Sequence, residues 1–203
     1  VINSNSLKPQ SNPLHCFVMA NLAMRTGRND EAINLLENRP RSRAFLPMPY
    51  LDFMLGMTKL RRLDKDAAQY FQSYRAQFKG RHFIKEAWQK LAWSALLNDN
   101  PSGYKKYLQN CLSRGNATAG GDKNALKEAQ SDHLPNITTL KARLLFDGGY
   151  YQQAYDLLNQ YSMEDFSNQY DKLEFTYRLG RVLHGLKRHT EAIYYYSLTI
   201  KSG

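Results

Sequence analysis

Residues 173–201 read LEFTYRLGRVLHGLKRHTEAIYYYSLTIK, and this stretch decides the fold. Leu179-Gly180 is followed by Leu183, then by Ala192 thirteen residues after Leu179, with Tyr196 four residues further on. Apolar side chains recur at helical spacing on both sides of Lys187-Arg188, so the stretch reads as two helices joined by a tight turn. Small residues sit where the two helices must approach closely, and large ones fill the wedge beside them.

The same spacing appears elsewhere in the chain. Leu55-Gly56 repeats Leu179-Gly180, and Ala68 lies thirteen residues after Leu55. Gly27 to Ala32 and Gly149 to Ala154 each give glycine, four residues, alanine at a helix–helix turn. Ala32 to Ala68 spans 36 residues, Ala154 to Ala192 spans 38, and the 86 between Ala68 and Ala154 leave room for one further unit plus an insertion. Residues 82–97 (HFIKEAWQKLAWSALL) supply that unit's first helix, and Tyr104 to Leu112 its second. This unit lacks the glycine and alanine of the others, so position and periodicity place it. The small, polar run 113–121 (SRGNATAGG) reads as a mobile loop, with a short helix over 122–131.

These motifs resemble the tetratricopeptide repeat, a helix–turn–helix unit of about 34 residues. The chain is also similar in look to bacterial repeat proteins of that kind. The resemblance implies an all-α fold, a right-handed α-α superhelix of about five helix pairs in one domain. The units fall near 14–46, 47–80, 81–121 (divergent), 122–168 and 169–203, with residues 1–13 as a polar linker. Helices are expected near 14–26, 30–38, 47–62, 65–78, 81–97, 101–113, 135–147, 151–161, 169–186 and 189–201. One pair of helices cannot bury its apolar face alone, so neighbouring pairs must cover one another. The tyrosines of the last unit are left partly uncovered by this register, and the chain opens on Val1 rather than methionine. Both lead to the expectation of a longer parent chain.

The resemblance also implies a binding face. In such arrays the first helix of each pair lines the concave surface. Carried over residue by residue, that face holds Leu14, Phe17, Asn21, Met24 and Arg25 from the first unit, and Tyr50, Phe53, Met57, Leu60 and Arg61 from the second. Gln89, Trp93 and Leu96 follow from the third. Asn136, Thr139, Arg143, Phe146, Glu174, Tyr177, Arg181 and His184 complete it. Aromatics, methionine and arginine dominate protein recognition, although aromatics such as Phe53 and Trp93 can equally serve to pack one repeat on the next. The expected role is a non-catalytic scaffold for a protein or peptide partner. The carboxylate clamp of the family's chaperone-tail receptors is not expected. Its five positions are taken by Phe17, Asn21, Met54, Glu86 and Lys90, and Glu86 would repel the ligand.

Charge supplies the alternative. Of the 203 residues 28 are Lys or Arg and 18 are Asp or Glu, giving +10, and residues 39–90 hold twelve of the basic groups against four acidic ones. Such a stretch can dock on nucleic acid or anionic lipid, or can be a solvated outer helix face.

Motifs for chemistry are missing: there is no phosphate-binding glycine loop, nucleophile elbow or His-Glu-x-x-His. No cofactor or metal is expected. Cys16 beside His15 falls at a helix packing position, which favours a buried thiol over half a zinc site. Asp99 between two asparagines has one feature of a calcium loop but sits where a helix turn is needed. Asn116-Ala117-Thr118 and Asn136-Ile137-Thr138 match the glycosylation acceptor pattern, for which two cysteines give no secretory support. No apolar run is long enough to span a membrane, and the polar opening residues carry no signal-segment pattern, though a removed signal would leave no trace.

Overall fold

The computed structural model describes residues 12–40, 48–131 and 133–202. Most of the expected linker 1–13, the start of the helix expected at 47, and the basic residues Arg41 and Arg43 lie outside the described residues. The described chain is all-α, without strands. It comprises α1 (Pro13–Arg25), α2 (Asn29–Glu37), α3 (Tyr50–Arg61), α4 (Ala67–Gln77), α5 (Ile84–Leu97), α6 (Pro101–Ser113), α7 (Gly120–Ala129), α8 (Ile137–Asp147), α9 (Tyr151–Leu158), α10 (Gln169–Gly185) and α11 (His189–Ser202), with a single 3-10 turn at Met163–Asp165. Two compact units divide it, Val1–Asp132 and His133–Gly203.

One local geometry closes each of the five hairpins. At Gly27, Leu63, Asp99, Gly149 and Lys187 the backbone enters the left-handed region, with φ of 72°, 65°, 54°, 84° and 63°. The following N–H then reaches back over the helix end, from Arg28 to Ala23, Asp64 to Lys59, Asn100 to Ala95, Tyr150 to Leu145 and Arg188 to Leu183, each at 2.9 Å. This is the Schellman arrangement, which satisfies a carbonyl the helix end would otherwise orphan. The turn residues are separated by 36, 36, 50 and 38 positions, so the divergent third hairpin stands in register after all. Asp99 is its turn residue, not a remnant of an ion loop.

Counting from these turns shows why the helices pack. Seven residues before each left-handed residue stands a small one: Ala20, Gly56, Ala92, Ala142 and Gly180. At Gly56 an added Cβ would meet the Phe71 ring at 3.0 Å, and at Gly180 the Tyr196 ring at 2.9 Å. The return helices answer with Ala32, Ala154 and Ala192, all buried five residues after the turn.

The second hairpin departs from the expected spacing. Ala67, not Ala68, is fully buried at the contact. The cause is a tighter turn, in which the Ala67 N–H bonds to the Asp64 carbonyl three residues back. At the corresponding point the other hairpins use a four-residue spacing, as from Ala32 to Arg28. The helix is thus advanced by one position, and Phe71 moves with it.

L-residues in the left-handed region cost about 1 kcal/mol relative to glycine. Lys187 is exposed, so Lys187→Gly should raise unfolding free energy by about 1 kcal/mol in urea melts. An unchanged or lower midpoint would show that the Lys187 side chain contributes more than its backbone costs.

The stretch 113–121 is shorter as a loop than expected. Gly120 and Gly121 open α7, and Gly121 lies so close to the Glu86 carboxylate that a Cβ there would collide with it. Residues 122–131, grouped by sequence with the fourth unit, pack on α5 and α6 within the first compact unit. Asn136 of one glycosylation-like tripeptide serves as N-cap of α8, accepting from the Thr138 and Thr139 N–H groups. Cys16 and Cys111 are free and buried. Burial pushes both thiols up, Cys111 to about 11, so neither carries thiolate character near neutral pH. On α11 the side chains of Ile193, Tyr194 and Ile200 stay exposed.

Candidate functional site

The expected binding residues come from the first helices, and the structure treats them in three different ways. On α1 and α3 they form an aromatic row. Phe17 stands 6.1 Å from Tyr50, Tyr50 stacks on Phe53 at 5.4 Å, and Phe83 closes over both at 5.2 and 5.7 Å. Phe53 also meets Phe71 and Tyr74 edge-on and is buried, so its ring serves the interior. Tyr50 is half-buried; burial, then the Glu86 charge, raises its phenol above the usual range. Asn21 and Arg25 of α1 are exposed, and Met57 and Arg61 of α3 are half-buried.

On α5 the corresponding residues are already occupied. Gln89 and Trp93 are buried, and both donate to the Glu128 carboxylate of α7, Gln89 at 2.6 Å and Trp93 through its indole N–H. Lys90 lies 3.8 Å over the Trp93 ring and donates to the Gln89 amide oxygen. At the other end of α7, buried Asp122 accepts from the Phe83 N–H at 2.7 Å and the Glu86 N–H at 3.0 Å. Those donors are orphans of the α5 N-terminus, so Asp122 caps a helix from a distant segment. The chain's own helix thus engages the side chains that the repeat pattern assigns to a ligand.

In the second compact unit the first helices α8 and α10 leave their residues accessible. The Arg181 guanidinium lies 4.3 Å over the Phe146 ring and 5.9 Å from that of Tyr177. Tyr177 is 38% exposed, His184 is exposed, and Arg143 is half-buried on the same helix as Phe146. Cation–π contacts fix the arginine without consuming its donors. Thr139, by contrast, is buried, and Glu174 pairs with Arg178 at 2.7 Å.

Five basic residues of the stretch 39–90 are bonded to their own chain. Arg39 pairs with Asp52, Lys59 with Glu37 and Asp66, and Arg62 with Asp64 and Asp30. The Lys85 ammonium caps the α6 C-terminus, donating to the carbonyls of Cys111 and Leu112 at 2.6 and 3.0 Å. Lys90 lies 3.8 Å from the Glu86 carboxylate. Arg75 and Arg81 are different, because they line a cleft with Arg114 from outside the stretch. Sequence reading missed this grouping, since 33 positions separate Arg81 from Arg114 and no spacing links them. Asp122 and Glu128 were missed for the same reason.

Among the described residues no group of three or more His, Cys, Asp and Glu is placed to hold a metal ion. No described helix is long and apolar enough to cross a membrane. No protein-family model matches the chain, and no curated protein matches it. Among solved structures it is similar to that described as the crystal structure of MamA protein, at 13% identity and a TM-score of 0.44, over 92% of this chain and 89% of that one. A likeness of that depth carries no functional inference; the all-α architecture rests on the helices and turns above.

Proposed function

We propose that the chain is a non-catalytic scaffold that holds a protein or peptide partner against the first helices of its hairpins. The observation that carries this reading is the open platform of Phe146, Tyr177 and Arg181, with Arg143 and His184 beside it. A guanidinium backed by aromatic rings suits an acidic side chain flanked by apolar ones, the chemistry of a peptide segment. In the first unit, taken by itself, Phe17, Asn21, Arg25, Tyr50, Met57 and Arg61 offer side chains of the same kind.

A peptide library displayed against the chain should enrich acidic–apolar segments. Binding of the enriched peptides should fall at least about tenfold in the double variant Tyr177→Ala/Arg181→Ala. Neither side chain is in the interior, so the variant should keep the parent's melting temperature. Peptides bound equally well by the folded variant would remove the platform from the reading.

A further inference from the structure

A cleft of about 480 Å³ opens in the first compact unit, lined by Arg75 of α4, Gly80 and Arg81 of the α4–α5 connection, Ile84 and Trp88 of α5, and the α6 end at 113–116. Three guanidiniums line it, and no carboxylate does. Among the described residues no ion pair engages half-buried Arg75 or exposed Arg81 and Arg114, whereas buried Lys59, Lys85 and Lys90 are each bonded to their own chain. Arg75 is held in place, its guanidinium 3.1 Å from the centre of the Trp88 ring. Trp88 is 6% exposed, and its buried indole N–H has no hydrogen-bond partner.

Three like charges left facing one opening cost stability unless an anion joins them. Burial, and then the field of Arg114, lower the Arg75 guanidinium to about 10, so it stays cationic at neutral pH while bearing that repulsion. Guanidinium forks match tetrahedral oxyanions with two parallel bonds each. A single carboxylate has two oxygens and one charge, too little for three forks. A phosphate monoester brings three terminal oxygens and nearly two charges. The volume falls in the range of small-ligand sites and exceeds what a bare ion needs, which leaves room for the esterified group.

We infer that the Arg75–Arg81–Arg114 cleft is a binding site for a phosphate monoester, carried either by a small phosphorylated molecule or by a phosphorylated side chain. It is built on the second helices α4 and α6 with α5, and it does not depend on the peptide-binding platform of α8 and α10.

The chain has two tryptophans, so its indole N–H groups give two signals in a nitrogen–proton correlation spectrum, assigned with Trp88→Phe. Titrating inorganic phosphate against chloride at matched ionic strength should move the Trp88 signal saturably and leave that of Trp93 in place. Arg81→Gln and Arg114→Gln, both at exposed positions, should each weaken the response about tenfold without lowering the melting temperature. Glucose 6-phosphate and a phosphoserine tripeptide form the two further arms. Saturable binding of either supports the site, and the tighter of the two identifies the source. A Trp88 signal that moves no further with phosphate than with chloride would overturn the inference. So would an undiminished response in the double arginine variant, or a single-stranded RNA that outcompetes both monoesters.

Discussion

Asp122→Ala should destabilise the first unit by about 3 kcal/mol and release α7 from α5. The carboxylate is fully buried and accepts two backbone N–H groups from the first turn of α5. Each hydrogen bond to a charged acceptor contributes roughly 1.5–3 kcal/mol, and the variant removes the acceptor of both donors. The strain is local as well. Phe83 holds a left-handed φ of 57° and is fixed there by the Asp122 bond and by its contacts with Tyr50 and Phe53. Asp122→Asn keeps one acceptor oxygen and should lose about half as much. Urea melts read the totals, and hydrogen exchange reads the location. The α7 amides should exchange faster in the variant, and the Trp93 indole should lose its protection as Glu128 departs. Uniform exchange across the first unit, or a loss below about 1 kcal/mol, would show that α7 is held chiefly by its apolar side.

Phe71→Ala should cost about 4 kcal/mol. Phe71 is fully buried, meets Phe53 edge-on at 5.6 Å, and presses on the Gly56 backbone. The ring and the glycine are a matched pair, since a Cβ at Gly56 would stand 3.0 Å from two atoms of that ring and 3.1 Å from a third. Gly56→Ala alone should therefore destabilise despite the better helix propensity of alanine. In a Phe71→Leu background the same change should cost less, by a coupling of about 1 kcal/mol in a double-mutant cycle. Additive losses would show that helices α3 and α4 adjust their separation freely.

Much of the architecture was legible because it depends on backbone proximity, and proximity demands small residues at fixed spacing. Gly56 and Gly180, with Ala32, Ala154 and Ala192, gave the hairpins and their register. The turns were only partly legible. Glycine announces a left-handed residue at 27 and 149, but Leu63, Asp99 and Lys187 adopt the same conformation with no such signal. Their φ is imposed by the helix-end hydrogen bond, a property of the hairpin rather than of the residue. The displacement from Ala68 to Ala67 is of the same kind, since two adjacent alanines cannot reveal which one a tighter turn will bury.

The site was less legible for a different reason. Periodicity tells which face of a helix a residue occupies, not what lies against that face. Phe17, Arg25, Tyr177 and Arg181 share the first-helix face with Gln89 and Trp93, yet only the last two are covered by α7. The covering element is the short helix expected over 122–131, which the sequence grouped with the fourth unit instead of the third. Arg75, Arg81 and Arg114 raised the net charge in the sequence, but only the packing of α4, α5 and α6 brings them to one opening.

The placement of α7 sets a length. Neighbouring helices stand about 10 Å apart, so a partner held as proposed on α1 and α3 would have a track of roughly 20 Å before α7 stops it. An extended strand advances about 3.3 Å per residue, which makes that track about six residues long. Without α7 the third first helix would have lengthened it by half. Under the proposed function, the insertion between the third and fourth turns would act as a ruler, limiting the continuous segment the first unit could hold.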